Sequence, residues 1–213
     1  MTYKAFLFDL NGTMIDDMPY HIKAWHRILN ELGANISLER TKEECYGKNQ
    51  ELLERIFPGR FTQEEKDRIS RDKEEQYQRE YRPHLKLING LGSLLQKSHN
   101  DGVKMAIGSA AILFNIDFVV DGLQIRRYFD AIVSADDVKR SKPDPETFSK
   151  CASRLAVDPA ECLVFEDAPK GVETAQNAGM DCVVITTLHQ KEEFAGYTNV
   201  VACITDYDNF ELQ

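Results

Sequence analysis

Asp9 closes the apolar run Phe6-Leu7-Phe8, and Gly12 lets the backbone turn three residues later. A buried parallel strand delivers a reactive side chain to a sheet edge in this way, and open α/β folds hold their ligands at that edge. Asp9 is therefore the first candidate for chemistry, with capping of the next helix as its competing role. Ser109 follows the run ending Ile107-Gly108 and precedes Ala110-Ala111. Such a small-residue loop admits a phosphate to the backbone N–H groups, that of Ala110 included, and to the Ser109 hydroxyl. The same serine is also a fit N-cap for a helix over Ala110 to Phe114.

Two further segments carry charge to the same edge. Pro143 and Pro145 pin the loop Ser141-Lys142-Pro143-Asp144-Pro145 and so fix Lys142, which can neutralise a phosphate oxygen or the charge of Asp9. The flanking Lys139 and Arg140 read as a solvated basic rim. Glu166 and Asp167 end the run Val164-Phe165 just before a helix started by Pro169. Adjacent carboxylates at a buried edge repel unless a cation lies between them. A hard divalent ion such as Mg2+, which takes carboxylate, carbonyl and water oxygens, is the natural partner.

The elements that must position these residues are legible from periodicity. Short β-branched runs at 103–107, 131–133, 162–165, 182–185 and 200–202, separated by helix-length segments, predict a parallel sheet with helices on both faces. Between the first strand and this series lies a block that reads as helix throughout: 18–32 with Gly33 as its C-terminal cap, then 38–45, 50–57 and 62–81. Its last helix, Glu64 to Arg82, is so charged that it reads as a mostly solvated face anchored by Ile69, Tyr77 and Tyr81. Trp25 falls on the apolar stripe of the first helix and reads as core. The expected organisation is an α/β, Rossmann-like catalytic core over 1–15 and 86–213, with an all-helical cap over 16–85 inserted after the first strand.

With 213 residues, 42% hydrophobic and 29% charged, the chain has the proportions of a soluble globular protein able to bury a full core. Its 26 basic and 35 acidic residues leave a net charge of -9, which argues against general nucleic-acid or anionic-membrane binding. A small anionic ligand held by local cations remains compatible. Asp9, Asp16 and Asp17 interrupt the first apolar stretch, so no signal peptide is expected, and no later run reaches spanning length. Five cysteines without metal-ligand spacing suit a reducing cytoplasm and read as buried small hydrophobes. The expectation is a cytoplasmic monomer.

Taken in order, Asp9-x-x-Gly12-Thr13, Ser109 in a small-residue loop, Ser141-Lys142-Pro143-Asp144-Pro145 and Glu166-Asp167 with Gly171, Ala175 and Ala178-Gly179 resemble the haloacid dehalogenase superfamily over essentially the whole chain. The helical insertion and its opening Tyr20-His21-x-x-Ala24-Trp25 resemble the subgroup of β-phosphoglucomutases and sugar-phosphate phosphatases. The resemblance implies that Asp9 attacks phosphorus to give an aspartyl-phosphate. It implies that Mg2+ is held by Asp9, the Asn11 carbonyl and Asp167, with Glu166 reaching it directly or through water. Ser109, Lys142 and loop N–H groups would bear the phosphoryl charge, and a small phosphorylated molecule would be the substrate.

Two residues depart from the family pattern. Asn11 stands where a second Asp normally protonates the leaving oxygen and activates the incoming nucleophile, and an amide cannot transfer a proton at neutral pH. A naturally weakened phosphatase, use of another acid and an engineered Asp-to-Asn form are all consistent with it. In the loop Tyr46-Gly47-Lys48-Asn49-Gln50, Gln50 stands where an Arg for a second phosphate is expected, with Lys48 as a substitute or simply a solvated lysine. His21, Gly47, Lys48 and Gln50 are the candidate substrate-selecting residues of the cap. The chain is therefore read as a phosphatase acting on a small sugar phosphate. A hexose-phosphate mutase of the β-phosphoglucomutase type is the alternative within the class, and a catalytically silent phosphometabolite-binding protein the alternative outside it.

Overall fold

The computed structural model describes residues 3–208 and Phe210; Met1, Thr2, Asn209 and residues 211–213 lie outside the described residues. The chain divides into two compact units, Met1–Asp16 with Lys86–Gln213, and Asp17–Leu85.

The first unit starts with β1 (Ala5–Phe8). The second unit then follows, made of α1 (Met18–Glu31), α2 (Leu38–Glu44), α3 (Asn49–Ile56) and α4 (Gln63–Tyr81). The first unit resumes with α5 (Leu91–Asn100), β2 (Lys104–Gly108), α6 (Leu113–Gly122), β3 (Ala131–Val133) and α7 (Glu146–Leu155). It ends with β4 (Cys162–Glu166), α8 (Pro169–Asn177), β5 (Asp181–Ile185) and β6 (Val200–Ile204). Each strand falls where an apolar, β-branched run predicts one.

The strands form one parallel sheet in the order β3-β2-β1-β4-β5-β6. The chain builds outward from β1 to β3, then returns to the other side of β1 with β4. The strand order thus reverses between β1 and β4, and their carboxyl ends frame the crevice where such sheets bind ligands. This is a Rossmann-like α/β fold with helices on both faces. Ala5 and Leu7 pack with Val164, Cys182, Phe148 of α7 and Val172 of α8 in one apolar cluster. Phe8 points the other way and stacks on Phe165 with ring centroids 4.7 Å apart. Strands with apolar side chains on both faces are what a doubly covered parallel sheet requires. All five cysteines are free thiols, with Cys151, Cys162 and Cys182 buried and Cys45 and Cys203 only partly so.

In the helical unit, Trp25, Leu29, Leu52, Leu53 and Phe57 make the core. Thr62 caps α4 with its side chain on the Glu65 N–H, and Glu65 returns the bond, which starts the helix where the sequence predicts it. Helix α4 is solvated over most of its surface with Tyr77 and Tyr81 buried as its anchors, as expected, but Ser70, Lys73, Glu74 and Gln78 are buried beside them. Charge pattern alone misleads here because Lys73 and Glu74 satisfy one another, Nζ lying 3.0 Å from Oε1 and 3.1 Å from Oε2.

Candidate active site

Sheet register assembles the site. Phe8 pairs with Ile107 of β2 and with Phe165 of β4, so Asp9 is level with Gly108 and Glu166. The Asp9 N–H donates to the Phe165 carbonyl at 3.0 Å and extends that pairing by one residue. Asp9, Glu166 and Asp167 are all buried, and one carboxylate oxygen from each lies within 4.8 Å of the others. Lys142 Nζ bridges two of them, donating to Asp9 Oδ1 at 2.7 Å and to Glu166 Oε1 at 2.6 Å. The loop that delivers Lys142 contains a cis Lys142-Pro143 bond, and the lysine ammonium sits 4.7 Å from the centre of the Phe148 ring. Arg140 and Lys139 are exposed, as a basic rim should be.

Electrostatics show what the cluster lacks. Burial works against a charged lysine, yet the Asp9 and Glu166 charges and hydrogen bonds raise the Lys142 pKa above its ordinary value. A lysine pKa raised by folding stabilises the protein fully below the ordinary lysine range, and that contribution is lost only as pH rises through the raised value. Burial, followed by the Glu166 and Asp9 charges, pushes Asp167 well above the usual carboxylate range despite Lys142 nearby. One ammonium serves three carboxylates, so the cluster has a negative excess that a divalent cation matches. The donors are hard carboxylate oxygens gathered within 4.8 Å of one another, the donor type that Mg2+ takes.

Glu166 is held more tightly than its neighbours. Its Oε2 accepts the backbone N–H groups of Asp167 and Ala168, both at 2.8 Å, so it fixes the turn that leads into α8 while its other oxygen holds Lys142. Gly171 makes room for it: a Cβ there would lie 1.7 Å from Glu166 Oε1. Gly171→Ala is accordingly expected to dislodge Glu166 from Lys142, lowering kcat at least tenfold and stability by about 1–3 kcal/mol. Steady-state kinetics and denaturant unfolding check this, and wild-type values in both would show that Glu166 can move without consequence.

Asn11 is half-buried at the turn after β1, where Gly12 adopts a left-handed φ of 79°. A Cβ on Gly12 would lie 2.1 Å from Asp167 Oδ2, so the glycine lets Asp167 come up against the turn. Ser109 is buried at the end of β2, one residue beyond the level of Asp9, and its hydroxyl accepts the Ala111 N–H at 3.1 Å. The N-cap alternative for Ser109 is corrected. Helix α6 starts at Leu113, three residues after Ala110, and its Leu113 N–H is taken by Asp136 Oδ2 at 2.9 Å from a separate loop.

The candidate residues of the helical unit fall into separate groups. His21 is buried in a polar cluster with Lys73 Nζ 2.5 Å from its Nδ1, Asp17 Oδ2 3.2 Å from its Nε2, and the Tyr77 ring stacked 3.8 Å away. Asn49, which sequence reasoning passed over, joins this cluster by donating to Glu74 Oε1 at 2.7 Å. Lys48 is half-buried at the N-cap of α3, and its N–H donates to Glu51 Oε2 at 3.0 Å. Gly47 takes a φ of 74°, leaving space for Glu51, and Gln50 donates to Asp67 Oδ1 at 3.1 Å. Two residues of the sheet unit were also missed: Thr187, whose hydroxyl donates to the Gly12 carbonyl at 2.7 Å, and Tyr207, whose hydroxyl donates to the Thr13 carbonyl at 2.9 Å. Thr187 had a signal, a hydroxyl residue just past the end of an apolar strand run.

Comparison with known proteins agrees with this fold. The model of the family described as haloacid dehalogenase-like hydrolase matches residues 6–185. Fructose-1-phosphate phosphatase YqaB of Escherichia coli is 31% identical over 190 residues, covering 87% of this chain and 98% of the relative. β-Phosphoglucomutase of Bacillus subtilis is 31% identical over 188 residues, covering 84% and 82% respectively. The crystal structure of β-phosphoglucomutase from Clostridium difficile matches with a TM-score of 0.85 at 26% identity, over 99% of this chain and 94% of that one. The chain belongs to the haloacid dehalogenase-like hydrolases, in the group that contains sugar-phosphate phosphatases and β-phosphoglucomutases.

Proposed function

We propose that this protein is a Mg2+-dependent phosphatase of a small sugar phosphate, working through an aspartyl-phosphate on Asp9. The observation that carries the reading is the buried set at the strand-order reversal, where one lysine holds Asp9 and Glu166 beside Asp167. A carboxylate needs no base to become a nucleophile, and Lys142 fixes Asp9 by its Oδ1. An Asp9 oxygen bonds to phosphorus as the bond from phosphorus to the sugar oxygen breaks. The sugar leaves with a proton from solvent, because Asn11 has none to transfer. Water then attacks phosphorus, the bond to Asp9 breaks, and inorganic phosphate departs. Ser109 and the N–H groups of the Ala110 loop offer donors to the phosphoryl oxygens.

Asp9, the Asn11 carbonyl and Asp167 would hold the metal, and Glu166, both of whose oxygens are engaged, would reach it through water. When bound, Mg2+ supplies positive charge to the transferring phosphoryl group. His21, Gly47, Lys48 and Gln50 are proposed to select the substrate. Gln50 spends its amide on Asp67 and brings no cation for a second phosphate, which favours hydrolysis over a bisphosphate-dependent isomerisation.

The test is phosphate release from a panel of sugar phosphates with Mg2+ and after treatment with EDTA. Release that stops on chelation and returns with Mg2+ supports the reading; release indifferent to EDTA, or an isomer in place of inorganic phosphate, contradicts it. Metal binding at Asp167 competes with a proton whose affinity burial and like charge raise. The Mg2+ concentration for half-maximal activity should therefore rise as pH falls from the raised Asp167 value toward the ordinary carboxylate range.

A further inference from the structure

We infer that Thr187 and Tyr207 are positioning residues that hold the Asp9 turn in its working geometry by fixing the carbonyls of Gly12 and Thr13. The inference rests on the proposed role of that turn in binding metal and phosphate. Two successive peptide planes are involved. Thr187 Oγ1 donates to the Gly12 carbonyl at 2.7 Å, and the Tyr207 hydroxyl donates to the Thr13 carbonyl at 2.9 Å. The first of these planes flanks Gly12, which sits in the left-handed region with no side chain to restrain it, and the second follows it directly along the turn.

What the planes hold is chemical. The Asn11 carbonyl, a proposed metal ligand, lies one peptide upstream. Asp167 rests against Gly12, where a Cβ would come within 2.1 Å of its Oδ2, and the Thr13 hydroxyl reaches Asp167 Oδ1 at 3.5 Å. A rotation of the Gly12 plane therefore moves the bed of a carboxylate ligand and acts on the carbonyl ligand hinged to it at the Gly12 Cα, and a rotation of the Thr13 plane moves the residue whose hydroxyl faces that carboxylate.

Both donors are themselves anchored. Thr187 follows β5, and the preceding Thr186 is tied to β6 by its N–H to the Ile204 carbonyl at 2.9 Å. Tyr207 is buried, its ring 5.8 Å from that of Phe165. Its N–H donates to the Asn89 carbonyl at 2.9 Å, and Gly90 lies so close that a Cβ would be 2.3 Å from the Tyr207 carbonyl carbon. Asn89 in turn follows Ile88, whose N–H donates to the Met14 carbonyl at 2.9 Å. The tyrosine is thus clamped between the turn after β1 and the segment that opens α5, and its hydroxyl has a fixed target.

The experiment uses Thr187→Val, Thr187→Ser and Tyr207→Phe in the full chain, with Asp9→Ala as control. Two readouts are taken: Mg2+ affinity by calorimetry, and kcat and KM for p-nitrophenyl phosphate with saturating Mg2+. Loss of a group that orients metal ligands typically weakens metal binding or activity about 10- to 100-fold. The expected result is Mg2+ binding at least tenfold weaker in Thr187→Val and Tyr207→Phe, kcat lowered by a similar factor, KM within about twofold, and both restored in Thr187→Ser. Should Tyr207→Phe fail to fold, the Thr187 pair alone decides. Unchanged Mg2+ affinity, or equal losses in Thr187→Val and Thr187→Ser, overturns the inference. Asp9→Ala keeping full turnover would instead sink the aspartyl-phosphate reading, which separates the two failures.

Discussion

Asn11→Asp is expected to raise kcat by about 10²- to 10⁴-fold, the usual worth of a placed general acid and base. The wild-type amide can neither protonate the departing sugar oxygen nor accept a proton from the attacking water. The backbone carbonyl at position 11 is unaltered by the change, and the turn that carries it is set by Gly12 and by the Gly12 N–H bond to the Ile15 carbonyl at 2.8 Å. The substitution keeps the side chain's size and branching, so geometry is retained, and what is gained is proton transfer together with the charge of the ionised carboxylate. Position 11 is half-buried, so a fourth carboxylate there can keep solvent contact. Phosphate-release kinetics with saturating Mg2+ measure the effect. Equal rates in the two forms would mean that proton transfer at this position does not limit turnover.

Lys142→Met is expected to lower stability by about 3–5 kcal/mol at neutral pH in the absence of divalent metal, the cost of leaving buried charges without a partner. The wild-type ammonium is nine-tenths buried and satisfies Asp9 and Glu166 together. Methionine keeps comparable length and can pack on the Phe148 ring, so the loss reports charge rather than volume. Turnover should fall by about 10²- to 10³-fold, as when one preorganised charged donor to a transition state is removed. Mg2+, if held by Asp9 and Asp167 as proposed, should recover part of the stability by neutralising their charge, but little of the turnover. Urea unfolding with and without Mg2+ checks the first claim. A loss below about 1 kcal/mol would mean that the carboxylates find other compensation.

Much of the site could be read along the chain because a parallel sheet converts sequence into position. Each strand run ends at one edge, so Asp9, Ser109 and the Glu166-Asp167 pair could be placed there from strand ends alone. Three kinds of information were hidden. Burial of Lys73 and Glu74 was hidden because hydrophobic periodicity scores a charged helix as solvated, while an ion pair with His21 and Asn49 alongside can be enclosed. The true start of α6 was hidden because its cap, Asp136, comes from a different loop. The grip of Tyr207 on Thr13 was hidden because the two lie 194 residues apart and meet only once β6 has been laid beside β5. Asn11 is the reverse case: its consequence is chemical and is evident from the residue type before any coordinate is known.

The central claim is that Asp9 carries the phosphoryl group. The most direct measurement is rapid quenching of the enzyme during turnover of a sugar phosphate with Mg2+, borohydride trapping of any acyl phosphate, and peptide mass spectrometry. Reduction at position 9, lost in Asp9→Ala, is the predicted result. Phosphate release without modification at Asp9, or with modification at another carboxylate, would contradict it.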